Sequence, residues 1–337
     1  MNSVMNSGMN HMVDGGNQAQ PAGPGTDLPR IVILGSINMD LVFRTPRMPL
    51  PGETLSGHQF LQVAGGKGAN QAVAAARQGG QVRLLARVGQ DAMGQTIQAA
   101  LAQDGIDISA VHNVAGVATG VAGILVDDSG QNSIVLAAGA NACMDVAEVA
   151  AEADAITHAD FLVAQLETPL TGVSHAIGLA HAAGVTVIFN PTPMQALPDA
   201  LLAQVDYLIL NETEAGQLSG IAVQDSTTAT LAAQKLLERG VACVVLTLGS
   251  QGVLLAQAGQ PVVLMPAFAV QAVDTTAAGD TFVGALAVGL GCGLTLAQAS
   301  VRAQAAAALS VTRLGAQSSI PQCAEVDAFL LQHHANG

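Results

Sequence analysis

The sequence predicts an α/β protein, a three-layer sandwich with a mainly parallel central sheet between helices and a small β-sheet lid. Two observations carry that expectation. From Val82 onward, short continuous apolar runs alternate with amphipathic stretches, the pattern of strands buried on both faces and joined by crossover helices. Polar residues also gather where those runs end: Glu167 after the run 161–166, Asn190 closing 185–190, Asn211 and Glu214 after 207–210, and Thr247, Gly249, Ser250 and Gly252 around the end of 241–248. Open α/β sheets bind their ligands at that edge.

With 337 residues, half of them apolar, the chain has enough material for a sizeable core. Twenty-five acidic against 11 basic residues give a formal charge of −14, which argues against nucleic acid or an anionic membrane as partner. Cys143, Cys243, Cys292 and Cys323 form no C-x-x-C pair, so the reading is reduced, buried thiols in a cytoplasm. The eight histidines show no metal-ligand spacing.

In chain order, residues 1–29 are rich in Asn, Gly, Met and Gln and are read as a disordered tail before a domain spanning 30–333. The first strand begins at Ile31. Asn38 and Asp40 follow it, spaced so that both side chains face one ligand, with an Asx turn as the alternative. Pro46, Pro49, Pro51 and Gly52 break up the next stretch into small strands, and 120–126 with 132–136 read as a hairpin around Asp127 to Gly130. These pieces, about 41–63 and 117–139, are expected to pair as a lid over Asn38 and Asp40, with an uncovered face that invites a partner subunit.

Between them, Gly65-Gly66-Lys67-Gly68-Ala69-Asn70-Gln71 leads into a helix expected at 72–78. It is not a Walker A loop, because Gly68 follows Lys67. The glycines admit close backbone approach, and Lys67 and Asn70 can bond hydroxyls; a tight helix entry is the plain alternative. Thr281 to Val301 carries no charge, yet the cluster around Gly289, Gly291 and Gly293 divides it into two buried helices rather than one membrane span.

Ala277, Ala278 and Gly279 stand where a helix N-terminus leaves amide N–H groups free for an anion. Asp280 would repel phosphate there, which makes sense if it accepts a proton from an attacking hydroxyl; the alternative is that it only caps the helix. Asn211 with Glu214 likewise reads as an N-cap with its N3 partner. A helix at 296–309 and a turn at 310–319 complete the chain.

Gly65-Gly66-Lys67-Gly68-Ala69-Asn70-Gln71-Ala72, Asp274-Thr275-Thr276-Ala277-Ala278-Gly279-Asp280-Thr281-Phe282, Gly35-Ser36-Ile37-Asn38-Met39-Asp40 and Asn211-Glu212-Thr213-Glu214 together resemble the ribokinase-like family of sugar kinases. The resemblance implies a sheet of nine or so strands, a lid that pairs in a homodimer, and transfer of the ATP γ-phosphoryl group to the 5-hydroxyl of D-ribose. It implies Asp280 as the base, with the amides of Ala277, Ala278, Gly279 and Asp280 as the anion hole. Asn38, Asp40, Gly66, Lys67, Asn70 and Glu167 would bind the sugar. Asn211, Thr247, Gly249, Ser250, Gly252, Gly279 and Gln304 would bind the nucleotide.

Also implied are Mg²⁺ held through water by Glu214, and K⁺ held by Asp274, Thr276, Ser310, Arg313, Gly315 and Ser319, mostly through carbonyls. A pairing of Arg313 with Asp274 is the competing reading of that last group. Ala277 stands where many members carry Gly, and Gln304 where Asn or His is commoner. A kinase for another small sugar or nucleoside, such as 2-deoxyribose or fructose, is the first alternative. A sugar-binding relative without chemistry is the second, and Asp280 and Gly279 speak against it.

Overall fold

A computed structural model describes residues 28–334. The sequence expectation for the tail therefore lies, for residues 1–27, outside the described residues. Thirteen strands are described: β1 (Arg30–Leu34), β2 (Asn38–Thr45), β3 (Gln59–Gly65), β4 (Gln81–Gly89), β5 (Val111–Val114), β6 (Gly120–Asp127), β7 (Asn132–Ala137), β8 (Phe161–Ala164), β9 (Thr186–Phe189), β10 (Tyr207–Asn211), β11 (Cys243–Thr247), β12 (Val253–Gln257) and β13 (Val263–Met265). The helices are α1 (Lys67–Arg77), α2 (Ala92–Gln103), α3 (Val146–Ala151), α4 (Ala153–Thr157), α5 (Leu170–Ala183), α6 (Asp199–Leu202), α7 (Glu212–Ser219), α8 (Ser226–Leu237), α9 (Ala278–Gly291), α10 (Leu296–Ser310) and α11 (Cys323–His334).

Nine strands make one sheet in the order β13-β12-β11-β10-β9-β8-β1-β4-β5. Only the β11–β12 and β12–β13 pairings are antiparallel. Successive side chains of a strand point to opposite faces, and β1 shows what this does: Ile31 and Ile33 enter one core, Val32 and Leu34 the other. The first core is closed by α1, α2, α9, α10 and α11, the second by α3 to α8. Each such buried side chain contributes about 1.5–3 kcal/mol, so a run as short as RIVIL suffices to fix the central strand. Crossover helices on both faces put all the parallel strands' carboxyl ends on one edge.

The four-stranded lid has the order β3-β2-β6-β7. β2 pairs in parallel with β6 from Asn38↔Gly120 to Thr45↔Asp127, so the two lid segments do join as expected. The lid begins earlier than residue 41, because β2 starts at Asn38 and includes both Asn38 and Asp40.

Other expectations need correction. α1 starts at Lys67, not at 72: Gly66, with φ 93°, is its N-cap, and the residues after it form the first turns. β5, β12 and β13 lay outside the strands anticipated; β5 and β13 are short and mostly exposed, whereas β12 is buried from Val253 to Ala256. Of the four thiols, Cys243 is buried, Cys292 is exposed, and Cys143 and Cys323 are intermediate, so buried thiols are not the rule. The uncharged stretch is two helices, α9 and α10, and among the described residues no helix is long and apolar enough to cross a membrane.

Candidate active site

α9 begins abruptly. Its N-cap is Ala277, in the left-handed region at φ 60°, and no side chain caps the helix. It is the one non-glycine residue with positive φ among those described, and such a conformation costs an L-residue about 1–2 kcal/mol. The first turn of an uncapped helix presents amide N–H groups and the positive end of the dipole. Ala277, Gly279 and Asp280 border a cavity of about 220 Å³. A Cβ placed on Gly279 would meet nothing within 4 Å, so the amides there are open to a ligand. Ala278 is different, since its N–H donates to Thr275 O over 3.3 Å, which leaves less of it for an anion.

Asp280 sits in that first turn, 7% exposed. Its carboxylate does not cap α9. Oδ2 accepts from Asn70 Nδ2 at 2.9 Å and Oδ1 from Gln71 Nε2 at 3.0 Å, both reaching across from α1. The two helices meet closely because Gly284 has no side chain; a Cβ there would lie 2.6 Å from Gln71 O and from Ala74 Cβ. The capping alternative for Asp280 therefore fails, while for Asn211 and Glu214 the capping box is present: Asn211 Oδ1 accepts from Glu214 N, and Glu214 Oε2 from Asn211 N, each at 2.9 Å.

The same cavity is lined by Lys67, Asn190, Thr192, Asn211, Glu214, Thr247 and Thr275. Burial works against the Lys67 charge, but Asp280, Glu167 and Glu214 outweigh it and hold the ammonium above the ordinary lysine value. Glu214 Oε1 accepts from Thr192 Oγ1. Each carboxylate oxygen thus carries one hydrogen bond and keeps a further lone pair. Mg²⁺ is usually held by one or two carboxylates, water and substrate phosphates, and Glu214 fits that use. Among the described residues no cluster of three His, Cys, Asp or Glu side chains could cage a metal.

Beside the cavity lie the residues expected to face a sugar. Glu167 Oε2 collects Ser36 Oγ, Asn38 Nδ2 at 3.3 Å and Lys67 N at 3.2 Å. Asn38 is set by Asn141, whose Nδ2 donates to Asn38 Oδ1 at 2.8 Å while its Oδ1 takes the Ile37 N–H. Asp40 folds over Gly65, where a Cβ would lie 2.3 Å from Asp40 Oδ2. Burial, then the nearby Glu167 and Asp280 carboxylates, push the Asp40 carboxyl up to about 7. Gly66 is confined as well, its hypothetical Cβ being 2.7 Å from Asn38 N. Asn70 Oδ1 is buried with no hydrogen-bond partner in the protein, an acceptor suited to a ligand hydroxyl.

Thr247 borders the cavity, whereas Gly249, Ser250 and Gly252 form the turn beyond β11. Gln304 is buried on α10, and its Oε1 lacks a partner. Asp274 itself is not among the residues bordering the cavity, although its neighbour Thr275 is. Asp274 Oδ1 accepts from Thr276 N and Oγ1, and Oδ2 from Gly315 N at 2.9 Å. Burial opposes its ionisation, yet these bonds prevail and hold the carboxyl below its usual value. Val311 O accepts from both Val273 N and Asp274 N, so loop and turn are stitched together. Arg313 does not pair with Asp274 but with Glu325 of α11, at 2.6 Å. The Ser310 carbonyl receives Arg313 N, and Ser319 Oγ bonds Ala316 O. Gln71, Asn141, Gln165 and Thr192 were not anticipated, and Asn190 was marked only as a polar residue at a strand end; Gln71 lay inside a quoted motif, but nothing in the sequence tells a buried amide from an exposed one.

The family model for pfkB family carbohydrate kinases matches residues 28–323. The chain belongs to that family. It is 45% identical over 300 residues to a ribokinase of Haemophilus influenzae, covering 89% of this chain and 98% of the relative. Against a deoxyribokinase of Salmonella typhimurium the identity is 36% over 301 residues, covering 89% and 98%. The solved structure of Arabidopsis thaliana ribokinase complexed with ribose and ATP superposes with a TM-score of 0.84 at 33% identity, covering 90% of this chain and 99% of that one.

Proposed function

We propose that the protein phosphorylates D-ribose at its 5-hydroxyl with ATP, giving D-ribose 5-phosphate and ADP. The observation that carries this reading is a buried carboxylate, Asp280, in the first turn of an uncapped helix, held by two amides and facing a cavity with Lys67 and Glu214. Similarity to a ribokinase over nearly its whole length supports the choice of sugar.

In this mechanism Asp280 accepts the proton of the 5-hydroxyl as its oxygen bonds to the γ-phosphorus. The bond from that phosphorus to the β–γ bridging oxygen breaks, and ADP leaves with the electron pair. The α9 amides, chiefly those of Gly279 and Asp280, stabilise charge on the transferred group. Asn38, Asp40, Lys67, Asn70 and Glu167 orient the sugar, with Gly66 giving it room; Asn211, Thr247, Gly249, Ser250, Gly252 and Gln304 receive the nucleotide. Bound Mg²⁺, held through water by Glu214, would neutralise phosphate charge.

Three finer readings join it. K⁺ is proposed at the Asp274 loop and the 310–319 turn, which Val311 O and Asp274 Oδ2 tie together. A homodimer is proposed through the lid face that bears Asp40: register and pleat set Val42, Leu61, Ile124 and Ile134 side by side there, with Leu61 and Ile134 39% and 58% exposed. Such apolar exposure suits a covered surface. The cytoplasm, where free thiols persist, is the proposed compartment.

The test is an ATP-coupled assay with ribose, 2-deoxyribose, fructose and nucleosides, on wild type and Asp280→Asn. Ribose should give the highest kcat/KM, and Asp280→Asn should lower kcat by about 10²- to 10⁴-fold with the ribose KM little changed. Higher kcat/KM on 2-deoxyribose would assign the protein to the deoxyribokinase side of the family, and near-normal turnover in Asp280→Asn would remove Asp280 as base.

A further inference from the structure

Gln71 and Gln165 are both 0% exposed; the chemistry above uses Gln71 only as one of the two amides on Asp280 and gives Gln165 no task. A buried amide costs free energy unless its groups are paired, so what this pair holds is informative. Gln71 Nε2 donates to Asp280 Oδ1 at 3.0 Å and to Asn190 Oδ1 at 3.2 Å, while Gln71 Oε1 accepts from Gln165 Nε2 at 2.6 Å. The neighbours dictate which way this amide points. Asn190 commits Nδ2 to Ile209 O and Thr192 Oγ1, which leaves its Oδ1 to face Gln71. A flipped Gln71 would set oxygen against the Asp280 carboxylate and NH₂ against Gln165 Nε2. Gln165 reaches this place because Gly35 lacks a side chain: a Cβ there would lie 2.1 Å from Gln165 Oε1.

We propose that Gln165 and Gln71 form one positioning unit for the base, Gln165 fixing the Gln71 amide and Gln71 fixing Asp280 Oδ1. With Asn70 on Oδ2, the remaining lone pairs of the carboxylate are aimed at the sugar hydroxyl. The same amides join the base to the metal side, through Asn190 and Thr192 to Glu214 Oε1. The proposal rests on Asp280 being the base of a sugar kinase. Misaiming such a group lowers the rate of the chemical step and spares substrate binding.

Gln165→Leu keeps the bulk and removes the donor. Its kcat for ribose should fall about 10- to 100-fold, with KM for ribose and for ATP each within about threefold of wild type. Gln165→Glu tests the donor itself: the protonated acid can donate to Gln71 Oε1 and the ionised form cannot, so its kcat relative to wild type should recover as pH falls. Wild-type-like kcat in Gln165→Leu, a loss carried by KM alone, or a Gln165→Glu to wild-type ratio that is flat with pH would each overturn the inference while leaving the ribose kinase reading intact. A wild type inactive on every sugar would overturn both. If Gln165→Leu gives no folded protein, the pH dependence of the Gln165→Glu ratio decides.

Discussion

At the scale of single residues, two side chains sit in conditions their type does not favour. The Asp40 carboxyl, pushed up to about 7, exchanges its proton near neutrality, and only the ionised form accepts hydrogen bonds with both oxygens from sugar hydroxyls. kcat/KM for ribose should therefore climb as pH rises through about 7, and Asp40→Asn should flatten that limb. Stability moves the other way. The folded carboxyl holds its proton more tightly than the unfolded one, with its ordinary value of 3.8, so the stabilisation is present below that value and lost as pH rises through about 7. The melting-temperature advantage of Asp40→Asn over wild type should accordingly grow between about pH 5 and pH 8. Ala277 is the second case. Ala277→Gly relieves its left-handed backbone but frees the unfolded chain, for a net gain of about 0.5–1 kcal/mol, read as a higher melting temperature without any increase in kcat.

At the scale of elements, the loop from Val273 to Thr276 and the turn from Val311 to Gly315 behave as one piece, since Val311 O and Asp274 Oδ2 both bind across it. A K⁺ ion proposed there would pre-order the loop that leads into α9. Turnover should be higher in K⁺ than in Na⁺ or tetramethylammonium at equal ionic strength, and Asp274→Ala should abolish the difference; equal wild-type rates in all three would dismiss the ion. Elements with a strong period were legible in advance: β1, β8 to β11, the β6–β7 hairpin and α10 all follow from apolar runs and turn residues. α1 was legible only in part, because Gly68 in its first turn argues locally against a helix, and packing against Gly35 and α9 overrides that preference. Asp280, Lys67 and Glu214 were readable as a site from their places in motifs. Asn141, Gln165 and Thr192 were not, because their roles come from contacts between residues up to 104 positions apart.

At the scale of the whole molecule, the apolar lid face is what a partner would cover. Ile134→Glu, at a position 58% exposed, should shift a dimer to monomer in light scattering while leaving the melting temperature of the main sheet within a few degrees, since surface substitutions typically cost under about 0.5 kcal/mol. An unchanged mass would remove this face as the interface. The geometry of β2 gives that interface a second meaning. Its first residue, Asn38, is fixed by Asn141 and Glu167, and its last, Thr45, is the far end of eight paired positions along β6. On the proposed reading, in which Asn38 and Asp40 hold the sugar, this is a lever with its fulcrum at the substrate. At about 3.3 Å per residue, a tilt of about 10° about Asn38 carries Thr45 about 4 Å and Asp40 about 1 Å, the difference between a carboxylate in hydrogen-bond reach of a hydroxyl and one out of reach. A second subunit gripping the outer strands would thus act with a mechanical advantage of about three or four on Asp40, the residue proposed to meet the sugar.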